Sequence, residues 1–165
     1  GFDPKGHACL DVGASTGGFS QVLLDHGAKR VYAVDAGRGQ LHESLRLRSE
    51  ITLLEETDIR SLSPHLLDEA PDFVTVDVSF ISLRNVLPPA LALTKGPARL
   101  VALIKPQFEA GPGRGGVLAE ADARAVAEQA IAALDGLQGF RATAVIDSPI
   151  RGGDGNLEVL LHARR

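Results

Sequence analysis

The sequence is a series of short apolar runs, each ending at or near a charged residue, with helical or glycine-rich stretches between them. Residues 7–12 carry Asp11, residues 31–34 are followed by Asp35, and residues 52–55 end shortly before Asp58. Residues 73–78 carry Asp77, and residues 100–104 end at Lys105. Phe19, Val22 and Leu23 recur at helical spacing, and Gly27 supplies a stop. Residues 40–47 read as a short helix and residues 83–93 as a helix broken early by Pro88 and Pro89. The stretch 119–134 is alanine-rich without internal Gly or Pro and is the clearest helix of the chain. Strands alternating with helices imply right-handed crossovers and a parallel sheet. Near the end, residues 140–147 and 157–163 flank an Arg151-Gly-Gly-Asp-Gly155 loop and read as an antiparallel hairpin. The expected architecture is α/β and doubly wound: a Rossmann-like, mostly parallel seven-stranded sheet with one antiparallel strand near the C-terminus.

In an open sheet of this kind, ligands bind at the carboxyl ends of the parallel strands. Asp11, Asp35, Asp77 and Lys105 fall at or near such ends, and Asp58 lies just past another. The last strand runs the opposite way, so Glu158, near its beginning, joins the same edge. Six charged side chains thus converge on one rim.

Composition narrows the classes. The chain has 165 residues, 44% hydrophobic and 23% charged, which suits one globular domain over residues 1–165. A single cysteine, Cys9, fits a reducing compartment, and a cytoplasmic location is expected. The apolar runs are too short to span a membrane. A net charge of −4 argues against gripping nucleic acid by bulk electrostatics, and leaves room for a local basic groove or a separate RNA-binding domain. The sequence contains no Met, even at position 1, as expected of part of a longer protein. His7, His26, His42, His65 and His162 lack metal-ligand spacing, so they read as surface residues and no metal site is expected.

The first turn, Asp11-Val-Gly-Ala-Ser-Thr-Gly-Gly-Phe19, needs glycine for tight geometry and close backbone approach. Ser15 stands where a dinucleotide fingerprint has its second glycine, which disfavours NAD, and no Lys follows to make a phosphate-cradling loop. An acid before a glycine-rich turn suits a ligand with a cationic amino-acid end and an adenosine, which describes S-adenosylmethionine. The expected donor-binding set is Asp11, Gly13, Ser15, Thr16, Gly17, Gly18 and Phe19, with Asp35 on the ribose hydroxyls and Asp58 on the adenine amino group.

Four blocks together resemble the hemolysin A (TlyA) family of FtsJ-like ribosomal RNA methyltransferases. They are the first turn, Val76-Asp-Val-Ser-Phe-Ile-Ser-Leu83, Ile104-Lys-Pro-Gln-Phe-Glu-Ala-Gly111 and Gly155-Asn-Leu-Glu158. The resemblance spans essentially the whole chain. It implies S-adenosylmethionine as donor, cytidine 2′-hydroxyls of ribosomal RNA in ribosomal subunits as acceptor, and a Lys-Asp-Lys-Glu catalytic tetrad. Asp77, Lys105 and Glu158 match three tetrad positions. The family's first lysine lies upstream of the Asp-Val-Gly block in a segment this sequence does not include; Lys5, in an Asp-Pro-Lys-Gly context, does not match it. The family's small N-terminal RNA-binding domain is also not included, so the chain is expected to be the methyltransferase core.

Methyl transfer to a ribose hydroxyl requires an aligned nucleophile that loses a proton. Lys105 is the expected base, since lysine ionisation responds to burial and neighbouring charge. Glu158 is flanked by Leu157, Val159 and Leu161 and reads as a covered carboxylate whose natural partner is Lys105. Each has a plainer reading: Asp77 as a turn cap, Lys105 as a strand-end lysine, Glu158 as an edge residue. The loop 107–118 reads either as a closure over donor or RNA phosphate or as a connector. Two other functions stand beside ribose methylation. One is methylation of a base amino group, since Asp77-Val-Ser-Phe80 loosely matches an Asp-Pro-Pro-Tyr turn. The other is a membrane-lytic protein, for which no basic amphipathic helix is found.

Overall fold

A computed structural model describes residues 3–111 and 116–165. Its strands are β1 (Ala8–Val12), β2 (Arg30–Val34), β3 (Ile51–Leu54), β4 (Phe73–Val76), β5 (Arg99–Ile104), β6 (Arg141–Asp147) and β7 (Val159–Arg164). Its helices are α1 (Gly18–Asp25), α2 (Glu43–Arg46), α3 (Leu83–Ala92), α4 (Pro106–Glu109) and α5 (Glu120–Leu134). The strands form one seven-stranded sheet in the order β3-β2-β1-β4-β5-β7-β6. β1 to β5 are mutually parallel, and β7 runs antiparallel to both β5 and β6.

The central strands are buried on both faces, which explains their unbroken apolar sequences. On one face Leu10, Val12, Val74 and Val76 pack with Leu83, Val86, Leu87 and Ala90 of α3 and with Ala123, Ala127 and Ala130 of α5. On the other, Cys9, Val31 and Phe73 meet Leu23 and Leu24 of α1 and Leu45 of α2. β6 is exposed throughout and carries a register shift between Ala142 and Ala144, a bulge of the kind that blunts an edge strand.

Two local expectations are corrected. Pro88 and Pro89 do not break α3, which continues to Ala92. They withdraw donors from the carbonyls of Arg84 and Asn85, and both of those residues are exposed to water. Meanwhile Leu83, Val86, Leu87, Ala90 and Leu91 are buried, at about 1.5–3 kcal/mol for each large side chain, which outweighs the loss. Residues 106–116 are rich enough in Gly and Pro to read as irregular throughout, and they are not. Residues 106–109 form the short α4, with Pro106 at its start, where a missing N–H costs nothing. Residues 112–115, with Gly113, Arg114 and Gly115 of the expected loop, lie outside the described residues.

Register sets up the site. Val76 pairs with Ala102, so Asp77 falls level with Leu103, on the sheet face that Lys105 also occupies two residues later. Ile104 pairs with Val159, so extending that antiparallel register by one step brings Lys105 beside Glu158.

Candidate active site

The carboxyl edge of the sheet opens into a cavity of about 440 Å³, within the range of small-molecule sites. Gly13, Ser15, Asp35, Asp58 and Asp77 line it, along with Gln40, Thr57, Arg60, Ser79 and Phe80. Gly13 has φ of 79° and lies against the backbone of Asp77, which closes the floor where β1 and β4 end. Backbone N–H groups of Ser15 and Gly37 donate to the two oxygens of Asp35, each at 2.7 Å. Asp35 therefore closes the loops after β1 and β2 onto each other while facing the cavity. Asp58 caps the turn Ile59–Ser61, accepting from Arg60 N at 2.9 Å, and pairs with the Arg60 guanidinium at 2.5 Å. Those bonds hold its carboxyl below its usual range.

The rest of the glycine-rich turn plays a different part. Asp11 is buried, and Ser20 Oγ and Thr75 Oγ1 donate to its oxygens at 2.6 and 2.8 Å. It does not line the cavity; it joins α1 and β4 beneath the floor. Burial pushes its carboxyl up to about 6 against the pull of those hydrogen bonds. Thr16 is exposed, its carbonyl accepting from His42 N at 3.1 Å. Gly17 is buried with φ of 103°, and a Cβ there would meet Leu45 Cδ1 at 2.2 Å, so this glycine serves the packing of α2. Gly18 opens α1 in open space. Phe19 turns the other way, into a groove with Val22, Phe73 and Val101 on the α1 side of the sheet.

Asp77, Lys105 and Glu158 come together. Lys105 Nζ lies 2.6 Å from Asp77 Oδ1 and donates to Ser79 Oγ at 3.2 Å. The side chains of Lys105 and Asp77 are 14% and 36% exposed, so the pair is sheltered but reachable. Asp77 Oδ1 is itself buried and has no aligned hydrogen bond; the charge contact with Lys105 holds it. Glu158 is buried, as its apolar flanks required. Burial raises its carboxyl above the usual range, with the Lys105 charge pulling the other way, Asp77 adding to the rise and Gln107 bonding to it. Lys105 is thus the direct ion-pair partner of Asp77, and Glu158 feels it as a neighbouring charge.

Three further contributors lie inside the quoted motifs, where the pattern alone assigns them no role. Phe80 is 91% exposed with φ of 64°, and its ring lies 5.0 Å from that of Phe108. Asn156 is buried and bridges the chain beyond α4, accepting from Leu118 N at 2.9 Å and donating to the Gly116 carbonyl at 3.2 Å. Gly152 leaves room for Glu158, since a Cβ on it would lie 2.7 Å from Glu158 Oε1. Among the described residues no group of His, Cys, Asp and Glu could hold a metal ion. His26, His42 and His65 are exposed, whereas His7 and His162 are half-buried, His7 between Asp72 and Arg99. Among the described residues no helix is long and apolar enough to cross a membrane.

The family described as FtsJ-like methyltransferase matches residues 1–165. The 16S/23S rRNA (cytidine-2′-O)-methyltransferase TlyA of Mycobacterium tuberculosis is 44% identical over 162 residues, 96% of this chain and 60% of that protein. The chain spans about 60% of the length of this protein and of a Bacillus subtilis relative that it also matches. The crystal structure of a Lactococcus lactis protein named for hemolysin has a TM-score of 0.92 at 38% identity, covering 99% of this chain and 80% of that one. The N-methyltransferase NodS of Bradyrhizobium japonicum, solved with S-adenosyl-L-homocysteine, shares the fold alone, with a TM-score of 0.65 at 17% identity over 96% of this chain and 78% of that one. With that family matched over residues 1–165 and a sheet shared with solved methyltransferases, this chain belongs to the FtsJ-like methyltransferase family.

Proposed function

We propose that the chain is the catalytic core of an S-adenosylmethionine-dependent RNA methyltransferase, acting in the cytoplasm on cytidine 2′-hydroxyls of ribosomal RNA. The observation that carries this is Lys105 Nζ, held by Asp77 and Ser79 beside the buried Glu158. Identity to a TlyA named for cytidine-2′-O transfer supports the acceptor.

The cavity suits the donor. Gly13 keeps its floor open to close approach, Asp35 faces it as a ribose acceptor, Asp58 beside Arg60 lines it as an acceptor for the adenine amino group, and Asp77 offsets positive charge near the sulfonium. When bound, S-adenosylmethionine supplies an electrophilic methyl group and leaves as a neutral thioether. Lys105, in its neutral form, accepts the proton that the ribose hydroxyl gives up. The charged lysine so formed is the one paired with Asp77. Glu158 adds a second carboxylate that offsets this charge. Ser79 fixes the direction of the amine. Phe80 offers an exposed aromatic face at the rim, a surface for stacking an unpaired base.

The test is calorimetric titration with S-adenosylmethionine, using NAD as control, followed by methyl transfer to ribosomal subunits by the full-length protein. Binding of the first ligand alone is expected, with 2′-O-methylcytidine as the digestion product. Lys105→Ala should lose about 10²–10⁴-fold in turnover with donor binding retained. A base-methylated product, or transfer unaffected in Lys105→Ala, overturns the ribose mechanism. Dye release from liposomes without methyl transfer would point to the lytic alternative instead.

A further inference from the structure

The segments that follow Asp77 and Lys105 are braced on each other. Lys105 contacts Asp77 and Ser79, the Phe108 ring packs on Phe80, and one residue further on Glu109 reaches the start of α3. Its carboxylate is fully engaged: Ser82 Oγ donates to Oε2 at 2.6 Å and Leu83 N donates to Oε1 at 2.8 Å. Ser82 is the N-cap of α3 and accepts from Arg84 N at 3.2 Å. In an ordinary capping box, a Glu or Gln within the helix's own first turn reaches back toward the cap. Here that third position is Asn85, and the carboxylate comes from α4 instead. A negative group at a helix N-terminus is also favourable in itself.

We infer that Glu109 is the positioning residue of the site: by capping α3 from α4 it fixes the turn 77–82 against Lys105. Two features require such a brace. Phe80 sits at positive φ, a conformation that a residue with a side chain adopts only under constraint. Asp77 Oδ1 is buried with only the Lys105 contact to hold it. Without Glu109, Ser82 and Leu83 lose their partners, the turn is free to relax, and Lys105 loses its fixed line toward the acceptor. Glu109 touches neither Asp77 nor Lys105 through any described bond, so its effect runs through the backbone it clamps.

This inference rests on the methyl-transfer reading above, and Lys105→Ala is the control that tests that reading separately. The full-length protein is assayed with ribosomal subunits as Glu109→Ala and Glu109→Gln, alongside calorimetry with S-adenosyl-L-homocysteine. Glu109→Ala is expected to lower kcat on the order of 10- to 100-fold, as a small misplacement of a reacting group does. KM for the subunits and the affinity for S-adenosyl-L-homocysteine should stay within about twofold. Glu109→Gln keeps an acceptor for Leu83 N and should recover most of the rate. An unchanged kcat in Glu109→Ala, a parallel loss of kcat and ligand affinity, or failure of Glu109→Gln to recover the rate each overturns the inference. If Lys105→Ala keeps wild-type turnover, the reading of the site falls instead.

Discussion

Gly13 touches the backbone of Asp77 so closely that a Cβ on it would sit 2.1 Å from the Asp77 carbonyl oxygen. The floor of the cavity is therefore made by two main chains in contact, and a side chain there would pry β1 from β4. Gly13→Ala also forces a methyl-bearing residue to φ of 79°. The two penalties together should cost about 2–4 kcal/mol. Urea denaturation should show the lower midpoint, and calorimetry should show loss of S-adenosylmethionine binding. A variant with wild-type midpoint would mean the loop relaxes freely.

Phe80 couples strain to exposure. Its backbone conformation suits glycine, and its ring is almost wholly in solvent apart from Phe108. Phe80→Gly relieves the strain and Phe80→Ala keeps it, so the glycine variant should be the more stable of the two by about 1 kcal/mol in chemical denaturation. Both should transfer methyl groups more slowly than the parent, because both lack the aromatic face at the rim. A glycine variant with full activity would remove Phe80 from the acceptor site.

Asp11 should leave a mark on the pH dependence of folding. Its carboxyl titrates at about 6 in the folded chain, against about 3.9 when unfolded. Between those values the folded chain still holds the proton and the unfolded chain has released it. Stability from this group is therefore full below about pH 4 and falls as pH rises toward 6, by at most about 3 kcal/mol. Asp11→Asn removes the titration, and the Ser20 and Thr75 hydroxyls can turn to suit the amide. Denaturation at pH 4.5 and 7 should show the variant losing less stability across that interval than the parent. Equal losses would show that Asp11 titrates at an ordinary value.

Asn156 holds the chain on the far side of residues 112–115. Asn156→Ala leaves Leu118 N without its partner and opens a buried site, a change worth about 1–3 kcal/mol. Asn156→Asp should be at least as damaging, because the Gly116 carbonyl then faces an oxygen in place of a donor. Thermal denaturation of the two variants side by side distinguishes a lost bond from a repelled one.

Much of this arrangement can be read from the sequence. Strand ends are marked where an apolar run stops at Asp35, Asp77 or Lys105, because a buried sheet excludes charge until it reaches its edge. The same reasoning places Glu158 near the start of the reversed strand. What a strand pattern does not reveal is which face each side chain takes once the glycine-rich turn begins. Phe19 follows the turn by only a residue or two and ends up on the α1 side, away from the cavity. Asp11 carries the charge expected of a ligand contact, yet the hydroxyls of Ser20, in the helix after the turn, and Thr75, far along the chain, take up its oxygens. Pro88 and Pro89 mislead because local propensity does not count the apolar contacts α3 makes with the sheet. Glu109 is invisible for a similar reason: nothing in its own segment announces the helix end it serves.

The position of β7 has a consequence for how the site is completed. Among the described residues β6 pairs only with β7, and β7 occupies the place between β5 and β6. β6 precedes β7 in the chain, so it has no described strand to pair with until β7 lies between it and β5. Glu158 arrives with that strand. The register that puts this carboxylate beside Lys105 exists only once β7 has paired with β5, so the charged rim is completed by a strand that comes after all the parallel ones in the chain.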